Sequence, residues 1–581
     1  MWRICQWDEY AAPVLFRSNR QDEIRQRPCR SMDNLHMGRD PAANPGPPTR
    51  REFPHMLAMN RRAFLQAAGY TSLSSSLVGS LFQEAEAMTP AQVAGPDADL
   101  HLLRRISFGP TDTALARVRR IGRAAYIEEQ LGARDAATGL LAAALYPRID
   151  TAGSGIYLTS LTGGNPEGHI LDLQSAMLYK ALFSSAQLYE VMVDFWNDHF
   201  NTYIRKNVVP LKIDFDRGAI RPNAMGNFKT LLKKTVRSAD MLHYLDNWLN
   251  RKGQINENYA RELLELHTMG KGNYGEADMK ALSRILSGLG YIVDLPLAVA
   301  LYGTVQFNAA QHDTSAKTFL GQNFPAGGGE AEIDRALNLI LDHPATAKYI
   351  AGKLCARFVS DTPPAALVTA VAATFTATGG DIKAMLRQIL NSTEFAASAG
   401  AKLKRPQHAM IGAMRACGIN RVDHLVNTEL FGVPVANPAG LLYTSLGKAG
   451  HAPFMWAAPN GYPDSADYWG NTNSMLYQQK YLVKLVEGVS YSYILARPLA
   501  ALQGSNSVAG SVTRARTPRQ AVDNACANLL FQALPASVTS LAVSFVAQGA
   551  APDAVMDPAL LEQRVKGLVF ALLASPWFLL R

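Results

Sequence analysis

The chain has 581 residues, 48% of them apolar and 18% charged, so it can bury a large core across two to four domains and is not a disordered polymer. Its net charge of +9 is mild for that length and comes with no long basic block or nucleic-acid motif, which argues against a nucleic-acid partner. Five widely spaced cysteines make neither a disulfide framework nor a CxxC metal knuckle.

Residues 1–55 are rich in Arg and Pro, lack periodicity and include Pro45-Gly46-Pro47-Pro48. They read as translated upstream sequence or a disordered leader, with the start at Met56 or Met59. Arg61-Arg62, one variable residue and then Phe64-Leu65 resemble the twin-arginine export consensus. A weakly apolar stretch follows from Ala67 to Phe82, then the A-x-A cleavage pattern Ala85-Glu86-Ala87. Residues 56–87 are therefore expected to be a signal peptide read by the twin-arginine translocase, which places the product in the periplasm or outside the cell. The stretch is too weakly apolar for a membrane anchor.

Beyond residue 88 the expected fold is mainly α, a multi-helix globular fold with long loops and at most a short β-hairpin. A main helical domain should span 88–490, with a C-terminal helical extension over 491–581 packing on it. Ile382, Met385, Leu386, Ile389 and Leu390 form a helical apolar stripe, and Ile350, Leu354 and Phe358 form another after His343-Pro344. Leu231, Leu232, Val236, Leu242 and Leu245 continue the pattern. Lys229, Lys233 and Arg237 share one helix face that reads either as a phosphate site or as solvated surface. Asn256 is placed to cap a helix that Gly270 ends. Residues 300–307 offer a hairpin strand, and irregular stretches are expected near 151–168, 292–330, 430–474 and 502–517. Cys355 reads as core filler. The run 567–580 is too short for a bilayer and is broken by Pro576.

Several blocks carry a family resemblance: Leu102-Leu103-Arg104-Arg105 with Phe108-Gly109-Pro110, the 194–201 run Asp-Phe-Trp-Asn-Asp-His-Phe-Asn, the 256–268 run, His312-Asp313, the 343–347 run, Lys402-Leu403-Lys404-Arg405-Pro406 and Gly461-Tyr462-Pro463-Asp464. In order, from about residue 98 to about 480, they resemble the bacterial family called domain of unknown function 1800. The resemblance implies an exported, mostly helical protein whose genes often neighbour those of an exported sulfatase- or phosphatase-like family. It implies no reaction. The family usually has a histidine where this chain has Asn197, so a site using that histidine would be altered here.

The residues themselves leave several readings open. At 100° per residue, Asn258, Glu262 and Glu265 share one face of the 256–269 helix and His267 lies on the apolar side. Asp194, Asp198 and Asn201 share a stripe opposite Phe195, Trp196, His199 and Phe200. In a carboxylate reading, Asp194, Asp198, Glu262 and Glu265, joined by His312 and Asp313, hold a hard divalent metal. In a histidine reading, His199 and His267 act as ligands or as acid–base groups. A purely structural reading has solvated acids and satisfied core histidines. Asp464 and Trp469 in the long loop either contact a glycan or small ligand or order the loop. Asp240 and His243 have ligand spacing but read as surface. The absence of HExxH, P-loop, GxSxG and GxGxxG patterns removes support from zinc protease, nucleoside triphosphatase, serine hydrolase and dinucleotide enzyme classes. The expected function is an exported protein, either a metal-dependent enzyme on an envelope polymer or a non-catalytic partner of the neighbouring exported family.

Overall fold

A computed structural model describes residues 72–161, 167–206, 209–293, 299–419, 429–430, 433–434, 438–487 and 515–581. Helices dominate it, and strands among the described residues occur as short antiparallel pairs. Leu289–Tyr291 pairs with Val305–Phe307, the strand expected within 300–307, and Lys317–Phe319 pairs with Gln322–Phe324. No helix among the described residues is long and apolar enough to cross a membrane.

Local chemistry sets the helix starts. Asp97, Thr111, Asn227 and Asp381 each accept a hydrogen bond from a backbone N–H in the first turn of the helix they precede. His343 does the same through Nδ1, and Pro344 follows at the first helical position. The stripes at 382–390 and 350–358 are buried, each fully covered Leu or Ile contributing about 1.5–3 kcal/mol. Trp196 sits at the centre, fully buried, with its indole N–H donating to the Ala224 carbonyl at 2.9 Å, Phe200 stacked on it and Phe228 tilted against it. Cys355, Cys417 and Cys526 are buried and free.

Several local expectations change. The 256–269 segment is not one regular helix: Asn258–Glu262 is α, but Leu263–Thr268 opens into a π turn. The amides of Met269 and Gly270 both donate to the Leu264 carbonyl, and Gly270 adopts φ +78° as a helix-ending glycine should. The irregular stretch near 151–168 contains helix Gly153–Leu161, and the one near 430–474 contains Pro438–Lys448 and Ala466–Trp469. Lys229 and Arg237 are matched by Asp342 and Asp334 at 2.5 and 3.0 Å, so their face is committed to ion pairs rather than to phosphate. Asp240 is buried rather than surface, accepting from the Thr202 hydroxyl at 2.5 Å.

Arg61, Arg62, Phe64 and Leu65 lie outside the described residues. The apolar stretch after them forms helix Ser72–Glu86, whose Leu77, Val78, Leu81, Phe82 and Ala85 are buried in the main core, while Ala87 is exposed. Glu84 accepts from the Ser537 hydroxyl at 2.8 Å, tying that helix to helix Ala536–Ala547. At the other end, Leu403 and Leu580 form an antiparallel bridge, and the backbones of Lys402 and Arg581 exchange hydrogen bonds of 2.9 and 3.2 Å.

Candidate functional site

The 194–201, 402–406 and 461–464 blocks of the sequence meet around one end of helix Gln187–His199. Asp194 and Asp198 stand one turn apart, and the Arg405 guanidinium spans both, with Nη2 2.5 Å from Asp194 and Nη1 2.6 Å from Asp198. Arg357, from helix Pro344–Phe358, donates to the same Asp194 oxygen at 2.8 Å and lies 3.5 Å from Asp464. Lys402 approaches Asp464 at 3.5 Å and donates to Asp361 at 2.6 Å. Arg405, Arg357 and Lys402 thus link four carboxylates in one chain of ion pairs. Arg105, buried beside it, donates to the carbonyls of Phe358, Val359 and Ser398.

The loop carrying Asp464 is seated by backbone contact. Asn201, on the same stripe as Asp198, donates to the carbonyls of Trp456 and Ala458 at 3.0 and 2.7 Å. Gly461 lies directly on the end of the helix at φ +71°, and a Cβ there would fall 2.0 Å from the Asp198 carbonyl oxygen. Only glycine fits that approach. Trp469 is 1% exposed, and its indole N–H donates to the Pro463 carbonyl at 2.6 Å. It lies under the loop, against His451 and Tyr462.

Asp198, at one end of the carboxylate chain, and Asp464, within it, are reachable from solvent: 21% of the Asp198 side chain and 24% of that of Asp464 are accessible. Their charge states differ. Burial, reinforced by the like charge of Asp194, raises the Asp198 carboxyl to about 6 against the pull of Arg405. Burial also opposes ionisation of Asp464, but Lys402, Arg357 and Arg405 together hold its carboxyl far below the usual range. Tyr349, Lys353 and Arg357 recur at i, i+4, i+8, one face of their helix. Tyr349 stands 6.4 Å from the His199 ring and Arg357 pairs with Asp194, so Lys353 between them faces the same helix. Lys353 makes no contact ion pair or hydrogen bond among the described residues, and burial lowers its ammonium pKa.

His199 and His267 come together, their ring centroids 6.1 Å apart. Nε2–H of His199 donates to the His267 carbonyl at 3.0 Å, while Nδ1 of His199 and Nε2 of His267 are buried without a hydrogen-bond partner among the described residues. Burial, with Lys353 adding a like charge, holds His199 well below its usual pKa and lowers His267 to about 3. Both are neutral imidazoles packed among Trp196, Phe200 and Tyr349.

The remaining candidates stand in separate environments. Glu265 accepts from the Tyr274 hydroxyl at 3.2 Å, and burial together with Glu265 raises the neighbouring Glu262. His312 donates through Nδ1 to the Ser287 carbonyl and lies 3.3 Å from Glu332, which Lys317 neutralises at 2.7 Å. Asp313 accepts both arms of Arg284 at 3.0 and 3.2 Å. Among the described residues, no three His, Cys, Asp or Glu side chains form a group able to hold a metal ion. Asn197 faces away from this centre, donating to Asp216, itself paired with Arg221. Arg357, Lys353 and Asp361 were not singled out from the sequence, although the Tyr349/Lys353/Arg357 stripe was there to be seen.

No curated protein and no solved structure matches the chain. A family model described as a protein of unknown function, DUF1800, matches residues 101–580, which carries the likeness past the 98–480 span of the sequence blocks and through the C-terminal helices. The chain belongs to the DUF1800 family.

Proposed function

We propose that this is an exported protein that performs a proton-assisted cleavage or transfer on a polymer of the bacterial envelope, with Asp198 as the acid. The observation that carries this reading is the pair Asp198 and Asp464: both are reachable from solvent, both are fixed to one frame of arginines and a lysine, and near pH 6 Asp198 takes up a proton while Asp464 stays ionised. Pairs of titratable groups pushed apart in this way divide acid and counter-charge roles between them. Lys353, without an ion pair of its own among the described residues, is the cation free to meet a developing negative charge. Asp194 is already spent on two guanidinium groups.

Purified protein incubated with isolated envelope polymers should release soluble fragments, measured by chromatography. Asp198→Asn should lower the rate by a factor on the order of 10²–10⁴, the usual contribution of a general acid, while Asp198→Glu retains part of it. The wild-type rate should decline as pH rises through about 6, because the protonated carboxyl is the working form. No release from any envelope polymer, or equal release by Asp198→Asn, would overturn the proposal.

The export part rests on Arg61, Arg62, Phe64 and Leu65 followed by Ala85-Glu86-Ala87. With Arg61→Lys and Arg62→Lys together, the protein should stay in the cytoplasmic fraction, whereas the unaltered chain is recovered outside it. Equal export of the two chains would defeat this part alone.

A further inference from the structure

Resting on the reading of Asp198 and Asp464 as the reacting pair, we infer that the substrate is a glycan, held against an aromatic platform formed by Trp456 and Tyr468 beside that pair. The loop from 454 to 469 carries both features. Trp456 and Ala458 are tied through their carbonyls to Asn201, Gly461 lies on the backbone of Asp198, and Asp464 follows three residues later. The platform and Asp464 therefore ride on one loop that is seated on the helix end carrying Asp198.

The rings are held in fixed orientations. The Trp456 indole N–H donates to Asn460 Oδ1 at 2.8 Å, and Tyr462 backs the ring at 5.1 Å. Tyr468 meets Trp456 edge-on at 5.7 Å and rests on buried Trp469 at 4.8 Å. Trp456 is half-buried and Tyr468 is 39% exposed, so this aromatic surface faces solvent although a rigid layer lies behind it.

A sugar ring matches both halves of this surface. One face presents C–H groups that stack on the electron-rich face of an indole or phenol. Its rim presents hydroxyls, which Asp198, Asp464 and Asn460 can accept from or donate to. A purely apolar partner, lipid or protein, would have to desolvate those carboxylates and Lys353 without replacing their hydrogen bonds.

The test measures Trp emission and isothermal titration with three probes: chitohexaose, cellohexaose and peptidoglycan strands freed of their peptides. At least one should bind the full-length protein and change the indole emission. Trp456→Ala and, separately, Tyr468→Ala should weaken that binding about tenfold or more, with Trp456→Phe recovering part of it. Near-ultraviolet circular dichroism checks that each variant is folded, and Tyr468 is exposed enough that its loss leaves the core intact. If none of the probes binds at millimolar concentration, or if folded Trp456→Ala and Tyr468→Ala bind as the wild type does, the glycan inference falls, and the Asp198→Asn release assay still judges the reacting pair. If binding depends on Trp456 but no envelope polymer is cut, the glycan site stands and the reacting pair falls.

Discussion

Lowering the pH from 7 to 5 should bring this protein close to unfolding, with a thermal midpoint depressed by roughly 10 °C, followed by circular dichroism. The cause is a set of buried histidines. Burial lowers His101 and His267 to about 3 and holds His199, His408 and His451 well below the usual value of 6.5. In the folded chain they stay neutral at pH 5, whereas in the unfolded chain each takes up a proton below 6.5. Their stabilising effect is therefore fully present above 6.5 and is lost as pH falls, until the folded pKa is reached near 3 for His101 and His267. At pH 5 the loss is about 2 kcal/mol each for His101 and His267, and His199, His408 and His451 add to it in the same direction. Together this is a large share of the stability of a typical protein, about 5–15 kcal/mol.

Asp198 acts in the opposite sense. Its folded carboxyl titrates near 6 rather than 3.8, so ionisation costs stability above that range, and protonation on the way to pH 5 restores about 1–2 kcal/mol. The histidines win by several-fold. Asp464 and Asp313, both held ionised, contribute nothing to the change until the pH falls below their ordinary carboxylate range. A thermal midpoint constant within a few degrees from pH 7 to 5 would show that the five imidazoles are not held neutral by burial.

Replacing Arg405 by leucine should be among the most destabilising single changes, about 3–5 kcal/mol in urea denaturation at pH 7.5. The guanidinium neutralises Asp194 and Asp198 together, and its removal leaves carboxylates in a buried setting with Arg357 as the remaining contact cation on Asp194. Arg405→Lys should recover only part of the loss, because a compact ammonium lacks the planar guanidinium fork whose two nitrogens reach Asp194 and Asp198 separately. Adding Asp194→Asn and Asp198→Asn to Arg405→Leu should regain much of it, since the cost lies in the unpaired charge. A loss below about 1 kcal/mol for Arg405→Leu would mean that water already solvates this chain of charges.

The helical architecture was legible because apolar residues recur at helical spacing wherever a helix packs on the core, as at Ile382–Leu390, and because Gly270 marks an end. The site was legible in its parts and not in its assembly. The Asp194/Asp198 stripe and the Lys402–Arg405 block are both plain in the sequence, but more than 200 residues separate them, and periodicity says nothing about which charged stripe meets which. Reading the acids alone suggested a metal; their guanidinium partners came from elsewhere in the chain. Asp240 looked like surface because an acid on a short helix usually is, and its bond from Thr202, which in turn accepts from Lys212, depends on tertiary packing. Trp469 and Trp456 were indistinguishable as letters in a long loop. Packing put the first under the loop and left the second on its outer side.

The π turn at Leu263–Thr268 gives this helix one residue of slack in its length. Such a turn holds one more residue than an α turn of the same rise. Removing a single residue between 263 and 266 would let the turn close to ordinary α geometry, and because the rise is the same, everything beyond it would keep its phase about the axis. The His267 carbonyl would still accept the His199 N–H, and the ring pair would survive the loss of a neighbouring residue. A one-codon deletion in the α segment Asn258–Glu262 would have no such slack of its own, and each residue lost there is worth about 100° of phase. Chain length here is a coordinate of the site.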